Sequence, residues 1–163
     1  MAQITLDKTD LKILQVLQEN GRLSNVELSD RVALSPSPCL RRLKQLEESG
    51  MIRRYAALLS PAGLGLGLQV FIRVSINKAP DAREEFAQAV HSWNEVLSCY
   101  ALTGETDFLL HAFFTDMAAF SHFVLEVLLS HTCVLDARSS FVLKEIKNTT
   151  SLPLAHLQQG YSS

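Results

Sequence analysis

Apolar residues recur at helical spacing in three stretches of the first fifty residues, and turn-forming residues separate these stretches. The pattern predicts three helices that begin after Asp7, Ser24 and Ser35, because each of these residues commonly caps a helix. Glu27 follows Ser24 by three residues, which is the pattern of a capping box. The apolar positions expected to be buried are Leu11, Ile13, Leu14, Val16 and Leu17 in the first helix, Val26, Leu28 and Val32 in the second, and Leu40, Leu43 and Leu46 in the third.

The third predicted helix has one apolar and one basic flank. Pro36 suits the first helical position, and Gly50 ends the helix. Because residues are about 100° apart around a helix axis, the leucines share one flank and the basic residues lie opposite them. Such a helix fits the major groove of DNA, although many surface helices carry arginines that only meet water. The candidate DNA-contacting residues are Ser35, Ser37, Pro38, Arg41, Arg42, Lys44 and Gln45.

The charge distribution favours the DNA hypothesis. The whole chain has a net charge of −2, but residues 31–54 carry six Lys or Arg residues and two Glu residues. Positive charge is therefore concentrated where the predicted helix pair lies, as expected for a localised nucleic-acid contact.

The segment after Gly50 is predicted to be extended, as in the wing that follows the DNA-reading helix of a winged helix. Pro61 and the glycines at 63, 65 and 67 then predict a hinge. The expected organisation is a winged helix-turn-helix domain over 1–60, a hinge over 60–67, a second domain over 68–152 and a C-terminal tail over 153–163.

Past the hinge the apolar period changes to two, which indicates strands. Strands are predicted over 68–76, 96–103, 108–114 and 134–146, and helices over 81–93 and 116–129. This order, βαββαβ, is that of a ferredoxin-like α+β sandwich, in which helices cover only one face of the sheet. The residues predicted on the open face are Phe71, Cys99, Leu109, Phe113, Phe141 and Leu143. They are too apolar for open water, which predicts a covering partner, and a second copy of the chain is the favoured one.

Three segments of the chain resemble the Lrp/AsnC, or feast/famine, family of bacterial and archaeal transcription regulators. They are LDKTDLKILQVLQENGRLSNVELSDRVALSPSPCLRRLKQLEESGMIRRY, LTGETDFLL and SSFVLKEIKNTTSLPL, and the resemblance extends from Leu6 to Leu154. It implies a winged helix-turn-helix followed by an amino-acid-sensing domain that dimerises through its sheet, with dimers that often assemble into octamers. The chain departs from the family at His131-Thr132-Cys133-Val134, where Leu-Pro-Gly-Val is usual, and at Glu105, where Asp is more frequent.

The predicted hairpin from Thr103 to Asp107 has two interpretations. It is an ordinary polar turn, or it binds a free amino acid whose carboxylate meets backbone N–H groups and whose ammonium meets Asp107 or a carbonyl. In the resembling family this loop lies at the dimer interface and contacts the effector. The candidate effector-binding residues are Thr103, Gly104, Glu105, Asp107, Ser139 and Ser140. Leucine or methionine is the expected effector, from the resemblance and from the Leu- and Phe-rich strands beside the loop.

Other chemistry finds little support in the sequence. Gly63-Leu64-Gly65-Leu66-Gly67 lacks the further glycine of a dinucleotide loop and the G-K-[ST] of a phosphate loop. The five histidines and three cysteines lack metal-ligand spacing, and no paired carboxylates suggest acid–base catalysis. We therefore expect no enzyme activity, no metal and no cofactor apart from an amino acid effector. No apolar run approaches the ~20 residues of a membrane span, and a cytoplasmic location is expected.

The sequence therefore predicts a cytoplasmic, sequence-specific DNA-binding transcription regulator that responds to an amino acid. The alternative is an amino-acid-binding assembly module whose helical head contacts protein rather than DNA.

Overall fold

The computed structural model describes residues 6–158, which form two compact units. Of the described residues, the first unit combines 6–58 with 147–158, and the second is Leu59–Ile146. The sequence suggested limits at 60–67 and 152. In the compact units the second unit ends at Ile146, and the backbone of Leu152 is hydrogen bonded to the side chain of Gln18 in the first unit.

Three predicted helices build most of the first unit. They are α1 (Lys8–Glu19), α2 (Asn25–Val32) and α3 (Pro36–Glu48). The capping of α1 by Asp7 and the capping box of Ser24 and Glu27 are both confirmed. The turn between α2 and α3 places Ala33 in the left-handed region, at φ 58°.

The core of the first unit lies between the three helices. Its buried residues are Leu6, Leu11, Ile13, Leu28, Val32, Cys39 and Leu46. Two predicted core positions are wrong: the side chains of Val26 and Leu40 are 58% and 41% exposed. Val26 is about 200° from Leu28 around the helix axis, and Leu40 is about 100° from Cys39, so neither shares the buried flank.

The segment predicted as the wing of the winged helix-turn-helix is not paired into a sheet in the described residues. Residues 53–60 form no strand within the described part of the chain, although the sequence indicated an extended segment there. A strand needs a hydrogen-bonded neighbour strand, and the described residues contain no strand that pairs with this segment. Tyr55, Leu58 and Leu59 remain exposed on it.

The second unit has the predicted βαββαβ order, and the ferredoxin-like fold is confirmed. Its elements are β1 (Leu68–Ile76), α4 (Ala82–Val90), β2 (Val96–Ala101), β3 (Phe108–Phe114), α5 (Met117–His122, continued as a π-helix over Phe123–Leu128) and β4 (Val134–Phe141). The strands pair antiparallel in the order β2-β3-β1-β4. Strand β4 ends at Phe141, five residues before the predicted end at Ile146. A short helix, α6 (Ala155–Gln158), ends the described chain.

The core of this unit lies between the sheet and its helices. Alternate residues of β1 from Val70 to Ile76 are buried there, with Phe86 of α4 and Leu128 packed against them. Strand pairing decides which residues lie on the open face. Cys99 pairs with the buried Leu110, so it faces the helices and not the open side as predicted.

Phe141 likewise lies on the helix side, because it pairs with the buried Val70 and its ring lies 5.0 Å from that of Phe120. Leu143 lies beyond the end of β4. Of the apolar residues predicted on the open face, Phe71, Leu109 and Phe113 do lie there. They and the residues with which they pair alternate along β1 and β3 with the buried residues, so their side chains point away from the helices.

Candidate nucleic-acid interface and effector loop

The exposed side of α3 carries most of the predicted DNA-contacting residues. Cys39 and Leu46 are buried beneath the helix, whereas the solvent-facing arc carries polar and basic side chains. The exposed members of the predicted set are Ser35, Ser37, Arg41, Lys44 and Gln45, and Pro38 is half-buried beside them. The structure therefore brings these six residues together on one surface.

The first turn of α3 is stiff and poor in N–H donors. Pro36 and Pro38 have no N–H group, and Ser35 has extended backbone angles at the cap position. The hydroxyl of Ser35 accepts no hydrogen bond from the helix, and both Ser35 and Ser37 are exposed. Asn25 of α2 holds this turn by donating its Nδ2 to the carbonyl oxygen of Pro36 at 2.9 Å. The two hydroxyls thus lie at the positive end of the helix dipole, where a phosphate oxygen is favoured.

Arg42 departs from the expectation that it faces DNA. Its Nη1 donates to Oδ2 of Asp7, the N-cap residue of α1, at 2.7 Å and to Oδ1 of Asp10, in the first turn of α1, at 2.8 Å. The hydrogen bonds to Asp10 and then to Asp7 raise the pKa of Arg42. The physical reason is its angle: Arg42 lies at the edge of the arc, close to the buried flank, where carboxylates of the neighbouring helix are within reach.

The effector-loop candidates lie at the tip and base of the β2–β3 hairpin. Thr103, Gly104 and Glu105 are exposed at the tip, and Gly104 has a φ of 117° that strains other residues. Asp107 lies at the base, where its Oδ2 accepts the N–H of Ile76 at 3.0 Å. Its carboxylate therefore already anchors the hairpin to the end of β1.

Arg83 approaches the other carboxylate oxygen of Asp107, with its Nη2 3.4 Å from Oδ1. Ser139 and Ser140 do not lie on the same face of the sheet, because consecutive strand residues point to opposite faces. Ser139 pairs with the buried Ile72, whereas Ser140 lies on the open face, with its Oγ 3.5 Å from Nη1 of Arg73.

The open face also carries polar residues that the sequence reasoning did not single out. The ring of His111 stacks on Phe71 with centroids 4.6 Å apart, and its Nε2 lies 2.7 Å from Nε2 of Gln69. Burial lowers the pKa of His111, and the charge of Glu145 offsets part of that effect. The sequence pattern could have identified these polar residues, since they alternate with the buried residues along β1 and β3.

Comparison with known proteins decides the family. A model described as the Lrp/AsnC ligand binding domain matches residues 69–152, and a model described as winged helix-turn-helix DNA-binding matches residues 6–53. The leucine-responsive regulatory protein of Escherichia coli K12 is 43% identical over 148 residues, which is 90% of each chain. The chain belongs to the Lrp/AsnC family. It is thus a DNA-binding transcription regulator with an amino-acid ligand-binding domain, in a family of regulators and not of enzymes.

Solved structures agree with this assignment. A transcriptional regulator of Neisseria meningitidis, solved as a complex with L-methionine, is 78% identical, with a TM-score of 0.93 over 94% of this chain and 99% of that one. An AsnC family regulator of Agrobacterium tumefaciens is 34% identical, with a TM-score of 0.87 over 93% and 99%.

The described residues of this Lrp/AsnC regulator show no cluster of three or more metal-binding side chains. Cys39 and Cys133 are buried, Cys99 is half-buried, and burial raises the pKa of all three thiols. Between residues 6 and 158, no helix is both long and apolar enough to cross a membrane.

Proposed function

We propose that this regulator binds specific DNA with the exposed arc of α3, formed by Ser35, Ser37, Pro38, Arg41, Lys44 and Gln45. The observation that carries the proposal is the two-sided character of α3, whose Cys39 and Leu46 are buried while Arg41 and Lys44 are exposed. A helix fixed on its unit in this way presents a polar surface of the size that the major groove admits. The match of residues 6–53 to winged helix-turn-helix DNA-binding proteins supports the same use.

Arg41 and Lys44 are assigned different roles. The planar guanidinium of Arg41 suits the O6 and N7 acceptors of a guanine, which it contacts with two parallel hydrogen bonds. The ammonium of Lys44 suits a phosphate, and the hydroxyls of Ser35 and Ser37 suit phosphate oxygens near the helix N-terminus.

Fluorescence anisotropy on a duplex recovered by genomic footprinting tests this assignment. Arg41→Ala should weaken specific binding by about 1–3 kcal/mol and leave nonspecific binding much less affected. Lys44→Ala should weaken binding to all sequences and reduce the salt slope by about 0.9. Lys12→Ala is the matched control, because Lys12 is an exposed lysine of α1 outside the proposed surface. Unchanged affinity in both α3 variants would refute the assignment.

We propose L-methionine as the effector, ahead of L-leucine. The support is the 78% identical regulator from N. meningitidis that was solved with L-methionine, whereas the relatives named leucine-responsive are 43% identical. Both side chains are apolar and of similar size, so the distinction rests on the shape of the pocket wall and on the sulfur of methionine.

The proposed effector contacts are Thr103, Gly104, Glu105, Asp107 and Ser140. The ligand carboxylate accepts N–H groups at the exposed hairpin tip, and its ammonium pairs with Asp107 or a hairpin carbonyl. Ser139 is left out, because it lies on the opposite face of β4 from Ser140. An effector bound here alters DNA affinity only if it favours one arrangement of the regulator over another.

Isothermal titration calorimetry with L-methionine, L-leucine and the other amino acids tests the effector. L-Methionine should bind most tightly, and L-methioninol, which lacks the carboxylate, should not bind. A coupling of about 1–3 kcal/mol would change DNA affinity by roughly 5–150-fold when methionine is present. Absence of binding across the panel would leave a regulator without amino acid control by this loop.

We also propose a two-fold homodimer that buries the open sheet face, with further assembly to an octamer, acting in the cytoplasm. Phe71, Leu109 and Phe113 give this face an apolar centre, and a two-fold pairing hides the same patch on both copies. It also brings two copies of α3 into one molecule, as recognition of a pseudo-palindromic site requires. A stable monomer in light scattering at micromolar concentration would contradict the proposal.

A further inference from the structure

Arg42 and the two aspartates at the start of α1 form an ion cluster, here called the clamp and defined as Arg42, Asp7 and Asp10. We propose that the clamp is the positioning device of the DNA-reading helix. On this view Arg42 is a positioning residue that contacts no nucleic acid, and DNA affinity depends on two acidic residues. The inference rests on the proposed function of α3.

Every carboxylate oxygen of the clamp has a hydrogen-bond partner. Oδ1 of Asp7 accepts the N–H groups of Thr9 and Asp10, each at 2.8 Å. Oδ2 of Asp10 accepts the N–H of Asp7 at 3.0 Å. The remaining oxygen of each aspartate accepts Nη1 of Arg42. The start of α1 and the middle of α3 are therefore joined through one guanidinium.

The arginine is needed because this capping box contains two acids. In α2 of the same chain the box pairs the uncharged Ser24 with Glu27, which is the usual combination. In α1 two like charges share one turn, and Asp10 and Arg42 are only 13% and 28% exposed. Removing Arg42 therefore leaves two neighbouring carboxylates without their cation, of which Asp10 is the less exposed, and removing Asp10 leaves the guanidinium with Asp7 alone, whose side chain is 47% exposed.

The clamp also fixes the direction in which Arg41 points. Adjacent residues differ by about 100° around the helix axis, so holding Arg42 against α1 turns Arg41 outward. Burial opposes ionisation of Asp7, but the hydrogen bonds from Asp10 and Arg42 outweigh it and lower its pKa. Asp7 therefore stays ionised at neutral pH and keeps its bond to Arg42.

Neutralising Asp10 distinguishes a positioning role of the clamp from a direct effect of charge on DNA binding. Removing a negative charge beside a DNA-binding surface should strengthen binding, because DNA is a polyanion. The clamp predicts that losing this charge weakens DNA binding instead. Asp10→Asn should weaken specific binding by about 5–30-fold, and Arg42→Ala by a similar factor, which corresponds to one or two kcal/mol. Asp30→Asn removes an exposed acid of α2 outside the clamp and serves as the control, with binding unchanged or tighter.

The experiment measures duplex affinity against salt for the wild type, Arg42→Ala, Arg42→Lys, Asp10→Asn and the double variant Arg42→Ala/Asp10→Asn. The salt slope of Arg42→Ala should equal that of the wild type, Arg42→Lys should recover part of the affinity, and the double variant should bind no worse than the weaker single variant. A slope reduced by about 0.9 in Arg42→Ala would make Arg42 a phosphate ligand and overturn the inference, as would tighter binding by Asp10→Asn.

Urea unfolding of the same variants gives an answer that is independent of DNA. The clamp predicts that the shifts in midpoint caused by Arg42→Ala and Asp10→Asn are not additive in the double variant, and additive shifts would overturn it. If Arg42→Ala does not fold, Arg42→Lys takes its place in the cycle. Unchanged DNA binding by Arg41→Ala and Lys44→Ala would refute the proposed use of α3, while the unfolding cycle would still decide the clamp.

Discussion

Replacing Asp107 by alanine removes the acceptor that holds the β2–β3 hairpin to the end of β1. Oδ2 of Asp107 accepts the N–H of Ile76, a buried residue, at 3.0 Å. The backbone of Asp107 is held as well, since its N–H donates to the carbonyl oxygen of Val74 at 3.0 Å and its carbonyl accepts from Leu102 at 2.8 Å. The alanine variant keeps these backbone bonds and loses only the carboxylate.

The expected loss of stability in Asp107→Ala follows from the two contacts that the carboxylate makes. An N–H left without an acceptor in a buried position costs about 1–3 kcal/mol. The ion pair with Arg83 adds at most about 1 kcal/mol, because the arginine side chain is 77% exposed and the pair is 3.4 Å apart. We therefore expect Asp107→Ala to lower the free energy of unfolding by about 2–3 kcal/mol. Asp107→Asn should cost about 1 kcal/mol or less, because its amide oxygen still accepts the N–H of Ile76.

Urea unfolding and calorimetry with L-methionine together separate the anchoring role of Asp107 from effector binding. If the ligand ammonium pairs with the carboxylate, Asp107→Asn should lose methionine affinity while remaining almost as stable as the wild type. Retained affinity in Asp107→Asn would move the ammonium contact to a hairpin carbonyl. A stability of Asp107→Ala equal to that of the wild type would refute the anchoring argument itself.

Four further predictions concern stability in urea unfolding. Ala33→Gly should stabilise the protein by roughly 1 kcal/mol, because φ at this position is 58° and glycine adopts it without strain; a destabilised variant would contradict this. Gly104→Ala should cost about 1–3 kcal/mol for the converse reason, at φ 117°, and an unchanged midpoint would count against it. Leu46→Ala should cost about 2–5 kcal/mol and Leu40→Ala about 0.5 kcal/mol or less, since only Leu46 is buried; equal costs would contradict the observed helix face. The pKa of Asp7 is lowered from 3.8, so its contribution should be complete above that pH and be lost as the pH falls through the lower folded value, a dependence that should be absent in Asp7→Asn.

Sequence patterns correctly predicted the features that depend only on neighbouring residues. The capping box of α2 and the alternation along β1 need only neighbouring residues, and both were predicted where the structure has them. The Phe108–Phe114 strand was predicted to the residue for the same reason. Val26 shows the limit of such reasoning, because apolar character alone did not reveal which side of the helix packs on its neighbours.

Consecutive residues were enough to establish the order of the elements, the family resemblance and the polar surface of α3, because periodicity, caps and motifs depend on near neighbours in the chain. The assembled fold was needed to establish the partners of Arg42, the face occupied by Cys99 and which of Ser139 and Ser140 lies on the open face of the sheet. Each of these depends on residues distant in the chain. An ion pair spans 32 positions, and the face of a strand residue depends on the register with its neighbours, which a single bulge in β2 shifts.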